Sequence, residues 1–303
     1  TNKIYEKTNG VDLETRVNKE GKSNLGWLLT GALSDFGKFM SYRVTPQPRR
    51  DALLLRKSMA GIGCNDPLLL EVLSTRTNEE LRAAVDAYAE AFPGEDLRER
   101  IKSETGGMMK KNYGDWCDKL VEFNRDESDE VSDDAEIARI AEELYNAGAA
   151  KTFGCDEEVF LKHLNQANPK QIKAIRKAYK EYGNLEEDIK KKMGGDLEYA
   201  LLARVTPRLK FFAKRIYSAC KGWGTDEEAI ARVLGCLDNS DVFKMIRIYE
   251  KIFSDEDAPF NNFEALMKSE LSGDFLTAIL TMVSGTSPKG HWKAYADYPE
   301  EAD

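Results

Sequence analysis

The chain has 303 residues, 42% of them hydrophobic, which is enough to bury a substantial core and excludes disorder as the whole answer. Its 44 Lys and Arg against 53 Asp and Glu give a formal charge of −9, which repels nucleic acid and acidic lipid headgroups at long range. No nucleic-acid partner is expected, and binding to any other polyanion needs a local basic patch or a bridging cation.

In chain order, the opening Thr1–Glu6 lacks the apolar core of a secretory signal, and no apolar run approaches the roughly 18 residues of a membrane span. Membrane contact is therefore expected to be peripheral. Glu20-Gly21-Lys22-Ser23-Asn24-Leu25 is the first of four similar blocks, and the glycine turn that precedes the others is missing upstream of it. The spacing marks residues 1–45 as a partial first repeat.

Residues 46–123 read as a second repeat. It carries the glycine turn Gly61-Ile62-Gly63-Cys64-Asn65-Asp66 and then Glu104-Thr105-Gly106-Gly107-Met108-Met109. Between them Leu81, Ala84, Val85 and Tyr88 fall at helical spacing. The acidic run 124–134 reads as a solvated linker that divides the array into halves. A third repeat, 135–205, has Phe153-Gly154-Cys155-Asp156-Glu157-Glu158 and Lys192-Met193-Gly194-Gly195-Asp196-Leu197. The fourth, 206–283, has Gly222-Trp223-Gly224-Thr225-Asp226-Glu227-Glu228 and Glu270-Leu271-Ser272-Gly273-Asp274-Phe275, with an acidic insertion at Ser254–Pro259. Residues 284–303, with Pro288, His291, Trp292 and Pro299, form a C-terminal tail. Each full unit reads as about five short helices, so the fold class is all-α and repetitive.

Rival chemistry is poorly supported. Five cysteines (Cys64, Cys117, Cys155, Cys220 and Cys236) include no CxxC pair, which points away from disulfides or a zinc knuckle and toward a reducing, cytoplasmic setting. Asp255–Phe260 has Phe260 where an EF-hand loop demands glycine. His163 and His291 are the only histidines, and neither has zinc spacing; no GxSxG elbow, Walker loop or dinucleotide fingerprint is present. No enzyme is expected. Lys110-Lys111 and Lys190-Lys191-Lys192 read as solvated helix charge.

Lys221-Gly222-Trp223-Gly224-Thr225-Asp226-Glu227-Glu228, with Glu270 downstream, resembles the annexin repeat signature, a Lys-Gly-x-Gly-Thr-Asp turn closed by a distal acidic cap. The resemblance spans roughly residues 1–283. It implies an array of four five-helix repeats forming a curved disc with calcium loops on its convex face. The degraded third turn and the fourth-repeat insertion suggest a divergent member, and the α-giardins are one such branch.

On that resemblance the expected cofactor is Ca2+, a hard ion taking six to eight oxygens from carbonyls, carboxylates and water. Paired glycines can adopt positive φ and turn successive carbonyls inward, while the remote glutamate completes the site. The expected ligands are the Met59, Gly61 and Gly63 carbonyls with the Glu104 carboxylate, and the Cys220, Gly222 and Gly224 carbonyls with Glu270. Alternatively, each glycine simply ends a helix. That reading is preferred for the third turn, where Lys192 replaces the acidic cap; its ammonium could stand in the cation's place or touch lipid phosphate directly, as could Lys151. Thr225 with Glu228 reads as a capping box, Asp66-Pro67 as a helix start, and Cys64 in place of threonine as a weaker cap.

The turn apices Ile62, Phe153 and Trp223 are expected to touch the bilayer, with Trp223 the best interfacial anchor. The alternative is that they fold back onto their own helices. The expected function is calcium-dependent binding to acidic phospholipid membranes, peripheral on their inner face. The competing expectation is a structural scaffold on the cytoskeleton or flagella, with microtubule proteins as partners and partly decayed calcium sites.

Overall fold

The computed structural model describes residues 34–61, 63–106 and 111–286, together with Thr15. The Glu20 block, the apex residue Ile62, Gly107–Met109 and the tail from residue 287 onward lie outside the described residues. Between Asp35 and Thr286 the chain forms 16 helices, and no strand occurs among the described residues.

Helix α1 (Asp35–Val44) comes first among the helices between Asp35 and Thr286. Three five-helix units follow. The first comprises α2 (Gln47–Ser58), α3 (Asp66–Thr75), α4 (Asn78–Ala91), α5 (Leu97–Thr105) and α6 (Lys111–Leu120). The next comprises α7 (Asp134–Ala147), α8 (Glu157–Leu164), α9 (Pro169–Tyr179), α10 (Leu185–Lys192) and α11 (Gly195–Val205). The last comprises α12 (Arg208–Cys220), α13 (Glu227–Cys236), α14 (Asn239–Ile252), α15 (Phe263–Glu270) and α16 (Gly273–Thr286).

The repeat is written in its caps. The third helix of each unit starts on Thr77, Asn168 or Asp238, and the fourth on Asp96, Asn184 or Asn262. Each of these side chains accepts an N–H from three residues on, satisfying a donor that the helix itself leaves unpaired. Within each unit the first helix packs along the third. A buried tyrosine near the end of that third helix then fixes the approach to the fourth. Tyr88 donates to Glu95 Oε2 at 2.9 Å, Tyr179 to Asp188 Oδ2 at 3.0 Å, and Tyr249 to the Phe260 carbonyl at 2.9 Å.

By their contacts the helices form two compact units, one running from Gln47 to Pro207 and the other joining α1 to the segment from Arg208 onward. In the unit from Gln47 to Pro207, α3 packs against α11 over a core that includes Leu54, Leu69, Ile140, Leu144 and Leu201. A buried bidentate ion pair joins α2 to the end of α3. Arg76 Nε lies 2.7 Å from Asp51 Oδ2, and Arg76 Nη2 lies 3.0 Å from Oδ1. In the other unit, α1 packs on α13. Arg43 Nη1 donates to the Leu237 carbonyl at 2.5 Å, satisfying an acceptor just past the end of α13.

The segment 124–134 corrects an expectation. Much of it is exposed, but Arg125 is only 5% exposed and donates to the Leu73 carbonyl at 3.2 Å and also to the Arg76 carbonyl. Asn78 Nδ2 donates to the Arg125 carbonyl at 2.8 Å, and Asn168 Nδ2 donates to Asp126 Oδ2 at 2.7 Å and to the Glu130 carbonyl. The segment is a strap over the ends of α3 and the start of α9, and it lies inside one compact unit rather than between halves.

Candidate functional site

Three turns separate the first and second helices of the units, and each is closed at its base by a main-chain hydrogen bond. Asn65 N donates to Ser58 O at 2.7 Å, and Asp226 N donates to Ala219 O at 2.8 Å. In the third repeat the matching bond runs from Asp156 N to Ala147 O at 2.8 Å, enclosing two more residues. Phe153-Gly154-Cys155 resembles the ends of the other turns, so the glycines alone do not mark that insertion.

The glycines of the second and fourth turns adopt the predicted conformation. Gly61 and Gly63 have φ of +97° and +84°, and Gly222 and Gly224 have +127° and +82°. A Cβ at any of the four would meet no atom within 4 Å, so backbone conformation rather than crowding selects glycine here. In the third turn only Gly154, at +71°, shares this geometry.

The cap positions fall in the last turn of the fourth helix of each unit. Glu104 is the penultimate residue of α5, Glu270 ends α15, and Lys192 ends α10. The Thr225 hydroxyl donates to Glu270 Oε2 at 2.5 Å, which ties the cap carboxylate to the fourth turn. Burial pushes the Cys220 thiol up to about 12, and the Glu270 carboxylate beside it adds to the rise. Burial likewise raises the Cys64 thiol, with Asp66 the next cause and Glu104 a further one. Each cap carboxylate therefore acts electrostatically on its own turn.

Two capping expectations are corrected. Helix α13 is capped by Asp226, whose Oδ1 accepts from Ala229 N at 3.0 Å; Thr225 turns away to Glu270, and Glu228 approaches Lys38 Nζ at 3.4 Å. Helix α3 is capped by Asn65, which accepts from Leu68 N at 3.2 Å, while Asp66 is buried and accepts from the Tyr113 hydroxyl at 2.7 Å. Cys64 therefore leaves the helix cap intact. What it replaces is the bridge from turn to glutamate.

Arg100 carries no local sequence signal of a role at the turn. Its Nη1 lies 3.3 Å from Glu95 Oε2, and its Nη2 donates to the Met59 carbonyl at 2.8 Å, so a guanidinium already holds one expected ligand of the second turn. In the third turn Lys192 Nζ donates to the Lys151 carbonyl. At the apices, Trp223 is 108% and Phe153 90% exposed, so neither folds back onto its own helix. Among the described residues no three His, Cys, Asp or Glu side chains cluster as a metal site. A cation held here would draw mainly on main-chain oxygens with one carboxylate, a donor set that fits a hard divalent ion. Among the described residues no helix is long and apolar enough to cross a membrane.

The family model described as Annexin matches residues 50–112, 139–203 and 211–282, and these stretches follow the three five-helix units. Annexin A3 of Bos taurus is 34% identical over 275 residues, covering 88% of this chain and 79% of the relative. Annexin A13 of Homo sapiens is 33% identical over 238 residues, with coverage of 76% and 70%. Among solved structures, chicken annexin V matches with a TM-score of 0.75 at 25% identity, covering 94% of this chain and 84% of that one. A calcium-bound α-14 giardin matches with a TM-score of 0.74 at 18% identity over 93% and 87%, a likeness of fold alone. The matched stretches cover more than half of the sequence, and with two relatives above 30% identity the chain belongs to the annexin family.

Proposed function

We propose that this protein docks on acidic phospholipid membrane surfaces through calcium held in the turns of its second and fourth repeats. The reading rests on one observation above all: Glu270, 45 residues downstream, is hydrogen-bonded to Thr225 beside the two positive-φ glycines. The Cys220, Gly222 and Gly224 carbonyls with Glu270 form the principal site, and the Met59, Gly61 and Gly63 carbonyls with Glu104 form a second. Bound calcium supplies the positive charge that lets a chain of net charge −9 approach phosphate oxygens. The exposed Trp223 then inserts at the headgroup boundary, where indoles are favoured. The partner is lipid, and no residue is assigned a catalytic role.

Sedimentation with phosphatidylserine vesicles tests this. Pelleting should rise with calcium and reverse with chelator, and Glu270→Gln should weaken it without loss of helical circular dichroism. A calcium response equal to wild type in that variant would remove Glu270 from the site. The scaffold alternative is separated by cosedimentation with microtubules in the absence of lipid and calcium.

A further inference from the structure

The third turn departs from its neighbours in a consistent direction. It lacks the first positive-φ glycine, since Thr152 replaces it, and it encloses two more residues. Its cap position carries Lys192 instead of glutamate. That side chain reaches back across the turn, as Glu270 does in the fourth repeat, and its Nζ donates to the Lys151 carbonyl. The turn still presents an apolar apex, with Phe153 90% exposed against 108% for Trp223.

The charges of the two kinds of turn match. A divalent ion with one cap carboxylate leaves one net positive charge, and a single ammonium supplies the same charge with no metal. An ammonium has three donors. One is engaged with Lys151, and the others can meet phosphate oxygens. Lys151 and Lys191 are exposed beside it, and Lys190 is paired with Glu187 Oε1 at 3.1 Å. Asp156 and Glu157 supply opposing charge at the turn, and Glu157 accepts from Asn112 Nδ2 at 2.8 Å. The Cys155 thiol registers the mixture. Burial and then Glu157 push it up to about 11, while Lys151 and Lys192 pull it back.

We propose that the third turn is a permanently charged membrane contact, in which Lys192 and Lys151 meet the phosphates of acidic phospholipid and Phe153 enters the interface, without calcium. It rests on the reading that the turns face a membrane, and it adds a contact that chelator cannot remove. On a protein of net charge −9 this contact is weak. It sets a floor under the calcium response.

The test uses the full chain carrying Glu104→Gln and Glu270→Gln, sedimented in chelator at low ionic strength with phosphatidylserine or phosphatidylcholine vesicles. Binding to phosphatidylserine should exceed binding to phosphatidylcholine and should fade near 0.1 M salt, where screening over about 10 Å sets in. Lys192→Gln should lower it about fivefold, the worth of one lysine near an acidic bilayer. Lys192→Arg should keep it, and Phe153→Ser should reduce it. Unchanged circular dichroism separates these effects from misfolding. Equal binding by Lys192→Gln and its parent, or no preference for phosphatidylserine, overturns the proposal. The calcium response of the unmodified chain is read separately. Its absence beside Lys192-dependent binding would defeat the calcium reading alone, and the reverse would defeat this one alone.

Discussion

The Thr225 hydroxyl and the Glu270 carboxylate meet at 2.5 Å, joining the fourth turn to the end of a helix 45 residues away. The threonine of the turn thus orients the cap glutamate, while Asp226 caps α13. An outer partner that fixes a metal-binding carboxylate contributes about 10–100-fold to affinity. Thr225→Val is therefore expected to lower calcium affinity at the proposed fourth-turn site by about tenfold by calorimetric titration, with helix content unchanged. Cys64→Thr should raise affinity at the second turn, because it restores the missing bridge toward Glu104. An unaltered titration in both variants would return the threonine to a purely structural role.

Arg100 makes the second turn a different object from the fourth. Its guanidinium holds the Met59 carbonyl at 2.8 Å and is anchored by Glu95 at 3.3 Å. A calcium ion needing that carbonyl must compete with a tethered cation. Arg100→Gln in a Glu270→Gln background should strengthen calcium binding at the proposed second-turn site. The same change should cost at most about 1.5–3 kcal/mol of folding stability in urea, since hydrogen bonds to charged groups contribute about that much. Weaker calcium binding in this variant would mean that Arg100 supports the turn rather than competing within it.

Periodicity and recurrence exposed the helices and the turn-and-cap spacing, because both are local patterns repeated along the chain. Gly61, Gly63, Gly222 and Gly224 were legible for the same reason, since a doubled glycine before an acidic helix start has few other uses. What stayed hidden depends on contacts between distant residues. Nothing local distinguishes Arg100 from a solvated helix arginine, or Arg125 from its acidic neighbours, until the carbonyls of Met59, Leu73 and Arg76 arrive beside them. Thr225 followed by Glu228 satisfies the capping-box pattern, yet Asp226 competes one residue later and wins the cap. The extra length of the third turn was masked because Phe153-Gly154-Cys155 imitates the ends of the other turns.

The strap over residues 124–130 gives acid sensitivity a specific origin. Hydrogen bonds from the Ser128 side chain, the Ser128 N–H at 2.8 Å and Asn168 hold the Asp126 carboxyl below the usual carboxylate range. A carboxyl lowered in the folded state stabilises that state above its unfolded value near 3.8, and the contribution is lost as pH falls through the lower folded value. Asp126→Asn should therefore be less stable than wild type at neutral pH, and the gap in thermal midpoint should close as pH drops below that value. A gap that stays constant with pH would show that the hydrogen-bonding shape of Asp126, and not its charge, holds the strap.

Gly235 lies inside α13, where helix propensity alone would favour alanine by about 1 kcal/mol. The crossing of α1 argues the other way. A Cβ on Gly235 would lie 2.7 Å from Tyr42 Cβ and 3.2 Å from the Phe39 carbonyl oxygen. Tyr42 is buried, and its Cβ is the root of the side chain, so no rotamer change relieves the contact and the two helices must part. Overpacking of that kind costs about 1–3 kcal/mol, enough to outweigh the propensity gain. Gly235→Ala should therefore lower the urea midpoint and raise amide hydrogen exchange in α1 before the rest of the chain. An alanine variant at least as stable as wild type, with unchanged exchange in α1, would show that this crossing has slack and that Gly235 is not fixed by it.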